Sequence, residues 1–146
     1  MKSFKLQVVL EHRQRLEDQA RQSLAEAIQY EQSTIRQLSD ETTELAEISV
    51  EYEERQLVGI QSHEFMLYEN RIEHKRQVLI ELDRQLGLAR ELVLECRKKL
   101  ADASREKKLM EKLKEKKNLE IKKELHRKEM AQIDEVAIMF RHEDDR

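Results

Sequence analysis

The sequence predicts an all-α protein, a long antiparallel two-helix coiled-coil hairpin whose C-terminal helix overhangs the N-terminus. Three observations carry this. Charged residues make up 40% of the 146 positions and proline is absent. Apolar residues recur at steps of three and four along most of the chain, the spacing that puts them on one helical stripe. Gly59 interrupts that spacing and is one of only two glycines, so it marks the turn.

The first helix is expected over about 3–57. Leu16, Ala20, Leu24 and Ile28 recur every four residues, which reads as a stutter that locally unwinds a left-handed supercoil. From Ile28 the pattern becomes Glu31, Ile35, Leu38, Thr42, Leu45, Ser49 and Tyr52 in heptad spacing, with Ile48 as a substitute for Ser49. The turn falls at about 58–62. There Gly59 can take a positive φ, Ser62 is expected to cap the next helix, and Glu64 sits in its first turn.

The second helix is expected over about 63–142. Phe65, Tyr68, Ile72, Lys75, Leu79, Leu82, Leu86, Ala89, Val93, Cys96, Leu100, Ala103, Lys107 and Met110 follow heptad spacing without a slip, and Gly87 lies inside that run. A stripe of this kind needs a partner helix. A short connection makes the first helix that partner, and makes the pair antiparallel. The first helix reaches back to about Lys116. The remainder of the second is then expected to project by about 40 Å at 1.5 Å per residue, and the whole second helix to measure about 120 Å.

Charge is unevenly placed. Residues 1–58 hold 7 basic and 12 acidic groups, and residues 59–104 hold 8 of each. Residues 105–128 hold 11 basic and 5 acidic groups, and residues 129–146 hold 2 and 6. The basic block, with Lys112, Lys114, Lys116 and Lys117, reads as an electrostatic surface for an acidic partner. Nucleic acid fits it poorly, since no aromatic residue interleaves the block to stack on bases. Met130, Ile133, Val136, Ala137 and Phe140 form an apolar face beyond the reach of the first helix, which implies contact with another protein. Near the turn, Tyr52, Phe65 and Tyr68 hold half of the aromatic residues; packing in the seam explains Phe65 and Tyr68 first.

Other classes fall away. There are too few large apolar side chains for a thick globular core, and too few turn residues for an antiparallel sheet. No uncharged apolar stretch approaches the roughly 18 residues of a membrane span. The opening Met1-Lys2-Ser3-Phe4-Lys5 leads into charge-rich sequence and not into a signal peptide. Cys96 is the sole cysteine and falls on the seam as a small core residue, consistent with a cytosolic chain. The histidines His12, His63, His74, His126 and His142 lack the spaced partners of a metal helix, and two glycines cannot build a phosphate loop. Catalytic residues, cofactor and metal are therefore all expected to be none.

Two sets of residues carry a resemblance to a known family. Phe4-Lys5-Leu6-x-x-Val9-Leu10-x-x-Arg13, then Glu17-Asp18-x-Ala20 and Leu24-Ala25-x-Ala27, resemble the start of FliJ-type flagellar export proteins. Glu111-Lys112-Leu113-Lys114-Glu115-Lys116, with Glu129-Met130-x-x-Ile133-Asp134-Glu135-Val136-Ala137, resemble that family's C-terminal signature, and Gly59-Ile60 followed by Tyr68 fits its turn. The resemblance covers nearly the whole chain. It implies a non-enzymatic hairpin, similar to the central stalk of rotary ATPases. Such a protein inserts into the hexameric ring of the flagellar export ATPase, promotes its assembly and activity, and contacts the membrane export gate. Some members behave like escort factors for export chaperones. The implied place is cytoplasmic and peripheral, at the cell-membrane face of the flagellar base, without membrane insertion and without nucleic acid. Lys112, Lys114, Lys116, Lys117, Ile133 and Phe140 would meet the ring, and Tyr52, Tyr68 and Arg71 the gate. The family often carries more aromatics at the tip, where this chain offers Arg71 and Lys75. Alternative readings are the equivalent stalk of a virulence-type III secretion system, and a parallel homodimeric scaffold made of one unbroken helix.

Overall fold

A computed structural model describes residues 2–144, and their side chains from Lys5 onward; Phe4, quoted above for the resemblance, lies outside the described side chains. Two α-helices, α1 (Lys2–Val58) and α2 (Ser62–Asp144), pack antiparallel as a helical hairpin. The chain is rich in Glu, Lys, Arg, Leu and Gln, which lose little side-chain freedom in a helix, and has no proline to break one. Propensity alone would leave such helices marginal in water; the shared apolar seam holds them.

Gly59 makes the turn. Its φ is 101°, and its N–H donates to the Arg55 carbonyl at 3.0 Å. This is the left-handed cap that recovers one of the orphan carbonyls of a helix end. Phe65 N–H donates to the Gln61 carbonyl at 3.0 Å. Gln61 thus holds the N-cap position and Ser62 is already helical, a correction to the expectation that Ser62 caps. Three residues suffice for the reversal, so the chain re-enters the helix one position early. Arg55 in the last turn of α1 and Glu64 in the first turn of α2 each oppose the dipole of their own helix end. They also meet each other across the turn at 3.1 Å.

On α2 the least exposed positions run Tyr68, Ile72, Lys75, Leu79, Leu82, Leu86, Ala89, Val93, Cys96, Leu100, Ala103, Lys107 and Met110, the expected heptad. Phe65 departs from it: its side chain is exposed beside the turn, where α1 has already ended. On α1 the stutter is absent. Leu10, Arg13, Glu17, Ala20, Leu24, Ala27, Glu31, Thr34, Leu38, Glu41, Leu45, Ile48 and Tyr52 face the seam in unbroken heptad spacing. The expectation had taken Leu16, Ile28, Ile35, Thr42 and Ser49, each one residue beyond or before the true position. At Glu17 and Thr34 the true position is polar and an apolar neighbour drew the reading. Ile28 outweighed the smaller Ala27, Thr42 followed from the heptad count, and Ile48, the stated substitute for Ser49, is the buried residue.

The hairpin divides into two compact units. In the unit Gln19–Ala101, one buried cluster joins Ala27 to Val93 and Cys96, with Leu24 and Ile28 packed against it. A second joins Ile48 and Tyr52 to Ile72, with Leu45, Ile60 and Tyr68 around it. Thr34 is buried there, and its hydroxyl donates to the Tyr30 carbonyl at 2.9 Å, so the helix itself satisfies it. The unit formed by Met1–Asp18 with Asp102–Arg146 differs. Among its described residues the seam buries Glu17, not an apolar side chain, and from 118 to 144 every residue is exposed.

A prediction follows at Gly59. A Cβ there would touch nothing within 4 Å, so a substitution acts through the backbone alone. Gly59→Ala should lower the unfolding free energy by about 1 kcal/mol, the cost of a left-handed L-residue, read by urea denaturation. Gly87→Ala, at a helical position with equally open space, should raise it by a similar amount.

Candidate partner-binding surfaces

The seam lysines set the electrostatics. Lys75 occupies a core position, and its Nζ donates to Glu41 Oε2 at 2.7 Å and also to Glu44. These two hydrogen bonds hold its pKa above the ordinary lysine range, Glu41 contributing most. Lys107 lies 3.6 Å from Glu17, whose carboxylate is buried on α1. Lys114 also turns inward, donating to Gln7 Oε1 from a half-buried position. An unpaired charge on a coiled-coil seam is costly, whereas a paired one fixes which residues face each other.

Next to the turn, aromatic and acidic side chains cross. The Tyr52 and Tyr68 rings stack with centroids 5.1 Å apart, and Phe65 meets Tyr52 edge-on at 5.9 Å. The Tyr52 hydroxyl donates to Glu69 at 3.0 Å, and the Tyr68 hydroxyl to Glu51 at 2.9 Å. Each helix therefore supplies one tyrosine and one carboxylate to its neighbour. Burial, and then the carboxylate hydrogen bond, push both phenols above the ordinary tyrosine range.

The residues singled out in the sequence fall into three settings. Lys112, Lys116, Ile133 and Phe140 are exposed on the stretch of α2 near and beyond the start of α1. Lys114 and Lys117 sit at the half-buried edge of the seam, Lys117 at 3.8 Å from Glu120, so the four lysines do not form one face. By the turn, Tyr52 is buried, while Tyr68 and Arg71 line a shallow hollow with Arg55, Glu64 and Leu67. A partner would touch Tyr68 and Arg71 there, and Tyr52 only through its packing. Sequence reasoning missed Leu67, an exposed apolar residue of that hollow, and the largely exposed Leu57, Val58 and Met66 on the helix ends beside the turn. The available signal was that large apolar residues stood off the heptad beside a turn.

Among the described residues, no group of three or more His, Cys, Asp and Glu is placed to hold a metal ion. Also among them, no helix is long and apolar enough to cross a membrane. What the geometry offers is surface: an exposed helix with alternating apolar and charged residues at one site, and a hollow of mixed charged, aromatic and apolar lining at another. These are faces of a coiled-coil hairpin of the kind against which a partner helix or groove can pack. The family described as flagellar FliJ protein matches residues 1–143, and the chain belongs to that family. It is therefore a protein of flagellar export, and the family is a non-catalytic component of that process. No curated protein and no solved structure matches the chain.

The Lys75 cluster yields a pH prediction. Its folded pKa lies above the unfolded value of about 10.4. The stabilisation is therefore complete at neutral pH and is lost only as pH rises through the folded pKa. Lys75→Met should unfold at lower urea than the parent at pH 7, and the gap between the two should close in strongly alkaline buffer. A gap that is constant with pH would show that the lysine acts by packing and not by charge.

Proposed function

We propose that this FliJ-family chain is the coupling stalk of the flagellar type III export apparatus. In this reading it inserts into the export ATPase hexamer, promotes ring assembly and hydrolysis, and links the ring to the export gate at the cytoplasmic face of the cell membrane. The observation that carries the reading is the uninterrupted exposure of α2 from 118 to 144, with Ile133 and Phe140 more than half exposed. A helix that keeps such side chains in water is a docking element awaiting a partner.

The chemistry assigns roles. Lys112 and Lys116 offer solvent-facing positive charge to acidic loops of the ring, while Ile133 and Phe140 supply apolar anchors. Lys114 and Lys117 act at the seam edge, where they position α1 against α2 as well as adding charge. Tyr68 and Arg71 present the hollow beside the turn to the gate, with Tyr52 stacked behind them. No bond is made or broken on this protein; it transmits orientation between partners. Binding of export chaperones would use the same exposed surfaces.

The test is ATP hydrolysis by the cognate export ATPase, with ring formation followed by light scattering. The parent chain should raise both. Lys112→Glu with Lys116→Glu should lower the stimulation at least about tenfold, as expected when several rim charges are reversed, and leave the helical content unchanged. Full stimulation by that double variant would remove the basic block from the mechanism. Failure of the parent chain to affect hydrolysis or assembly would remove the stalk reading itself.

A further inference from the structure

The uncovered part of α2 carries a charge pattern that selects one partner geometry. Met130, Ile133, Ala137 and Phe140 continue a heptad stripe, with His126, Lys123 and Leu119 before them, and all are exposed. We propose that two copies of this chain pair antiparallel through residues 119–144, in the register that sets Met130 of one copy against Ile133 of the other.

The layers next to that central pair are His126 on Ala137 and Lys123 on Phe140, where the lysine stem and ammonium lie over the ring. The flanking positions then meet as Arg127 with Asp134, Glu120 with Arg141, and Lys122 with Glu143. Each contact occurs twice by symmetry, and all three are attractive. A shift of one heptad either way destroys this: one direction brings Arg127 onto Arg127 and Glu120 onto Asp134, the other Asp134 onto Asp134 and Arg127 onto Arg141. A parallel pair is excluded by the same residues, because it faces Lys122 with Arg127, Glu129 with Asp134, and Glu115 with Glu120. Flanking charges of this kind set partner and orientation in coiled coils, and repulsion in the rejected registers is part of the selection.

Length agrees independently. The favoured register puts residue 144 opposite residue 119. Lys117 is the last half-buried position of α2, three residues past Lys114, which bonds Gln7 near the start of α1. A second copy thus spans the uncovered stretch, on a stripe offset by two residues, about 200° round the helix, from the seam line of Met110, Lys114 and Lys117. Arg127 now rests on Glu124 at 2.8 Å within its own helix; exposed pairs of that kind are readily exchanged. The few apolar layers make the pair weak and concentration-dependent. The pairing hides Ile133 and Phe140, so a paired chain cannot use that face for the ring. Its argument does not depend on the ring reading, and its test contains no ATPase.

The experiment is equilibrium sedimentation of the full chain over a wide concentration range at low salt. The average mass should rise from 17.6 kDa toward twice that value. Arg127→Asp should weaken the dimer about tenfold or more, since two attractions become repulsions. Adding Asp134→Arg to that variant should restore it. Both variants lose the Arg127–Glu124 contact equally, and residues 127 and 134 are too far apart along the helix to pair within one chain, so local fraying cannot produce the rescue. A chain that stays monomeric at about millimolar concentration, a dimer indifferent to Arg127→Asp, or a double variant that is not rescued would each overturn the proposal.

Discussion

Two helices alone share an interface one side chain deep, and most of this structure answers to that constraint. Each seam residue must find its complement on the single facing helix, because no third element can cover an error. Apolar layers serve where Ala27 meets Val93 and Cys96, and where Tyr52 meets Tyr68. Elsewhere the seam is polar, and every lysine placed on it finds an oxygen: Lys75 on Glu41 and Glu44, Lys107 near Glu17, Lys114 on Gln7. Such pairs contribute little net stability compared with an apolar layer, but a slipped register would leave them buried without partners. Polar seam positions therefore trade strength for a defined alignment.

That trade differs between the two compact units. The buried apolar residues, Ala27, Ile48, Tyr52, Ile72, Leu82, Leu86, Ala89, Val93 and Cys96, all belong to the unit Gln19–Ala101. The other unit relies on charge and hydrogen bonds and leaves the end of α2 in water. Elements that must engage partners are drawn from the less stable parts of proteins. Both uses considered for the exposed helix, a ring of another protein and a second copy, exploit this division: the apolar unit keeps the hairpin closed, and the polar unit leaves its surface available.

The helical hairpin, the turn at Gly59 and the α2 seam from Tyr68 onward were legible in the sequence because the α2 heptad is apolar at nearly every step. The α1 seam was not. Glu31 reads correctly as a seam residue, but Glu17, Ala27, Thr34 and Glu41 also face the interface, where the spacing read from apolar residues lands on Leu16, Ile28, Ile35 and Thr42. Each miss is a shift of one residue, backward at Leu16 and forward at the others, made by a rule that is sound for apolar seams and silent on ion-paired ones. Complementarity could have corrected it: two charged positions on α2, Lys75 and Lys107, called for carboxylates on the facing stripe. Of the binding residues, the exposure of Ile133 and Phe140 followed from helix lengths. The inward turn of Lys114 did not, because a run of lysines carries no sign of which member faces Gln7.

Cys96 gives the seam a property that no designed label could improve. It is the chain's single thiol, and it sits buried against the cluster of Ala27 and Val93. With 8% of its surface exposed, it meets a reagent chiefly when the two helices separate at that level. Its alkylation rate is therefore a clock for opening of the hairpin, readable in the unmodified protein and, in principle, inside an assembled apparatus.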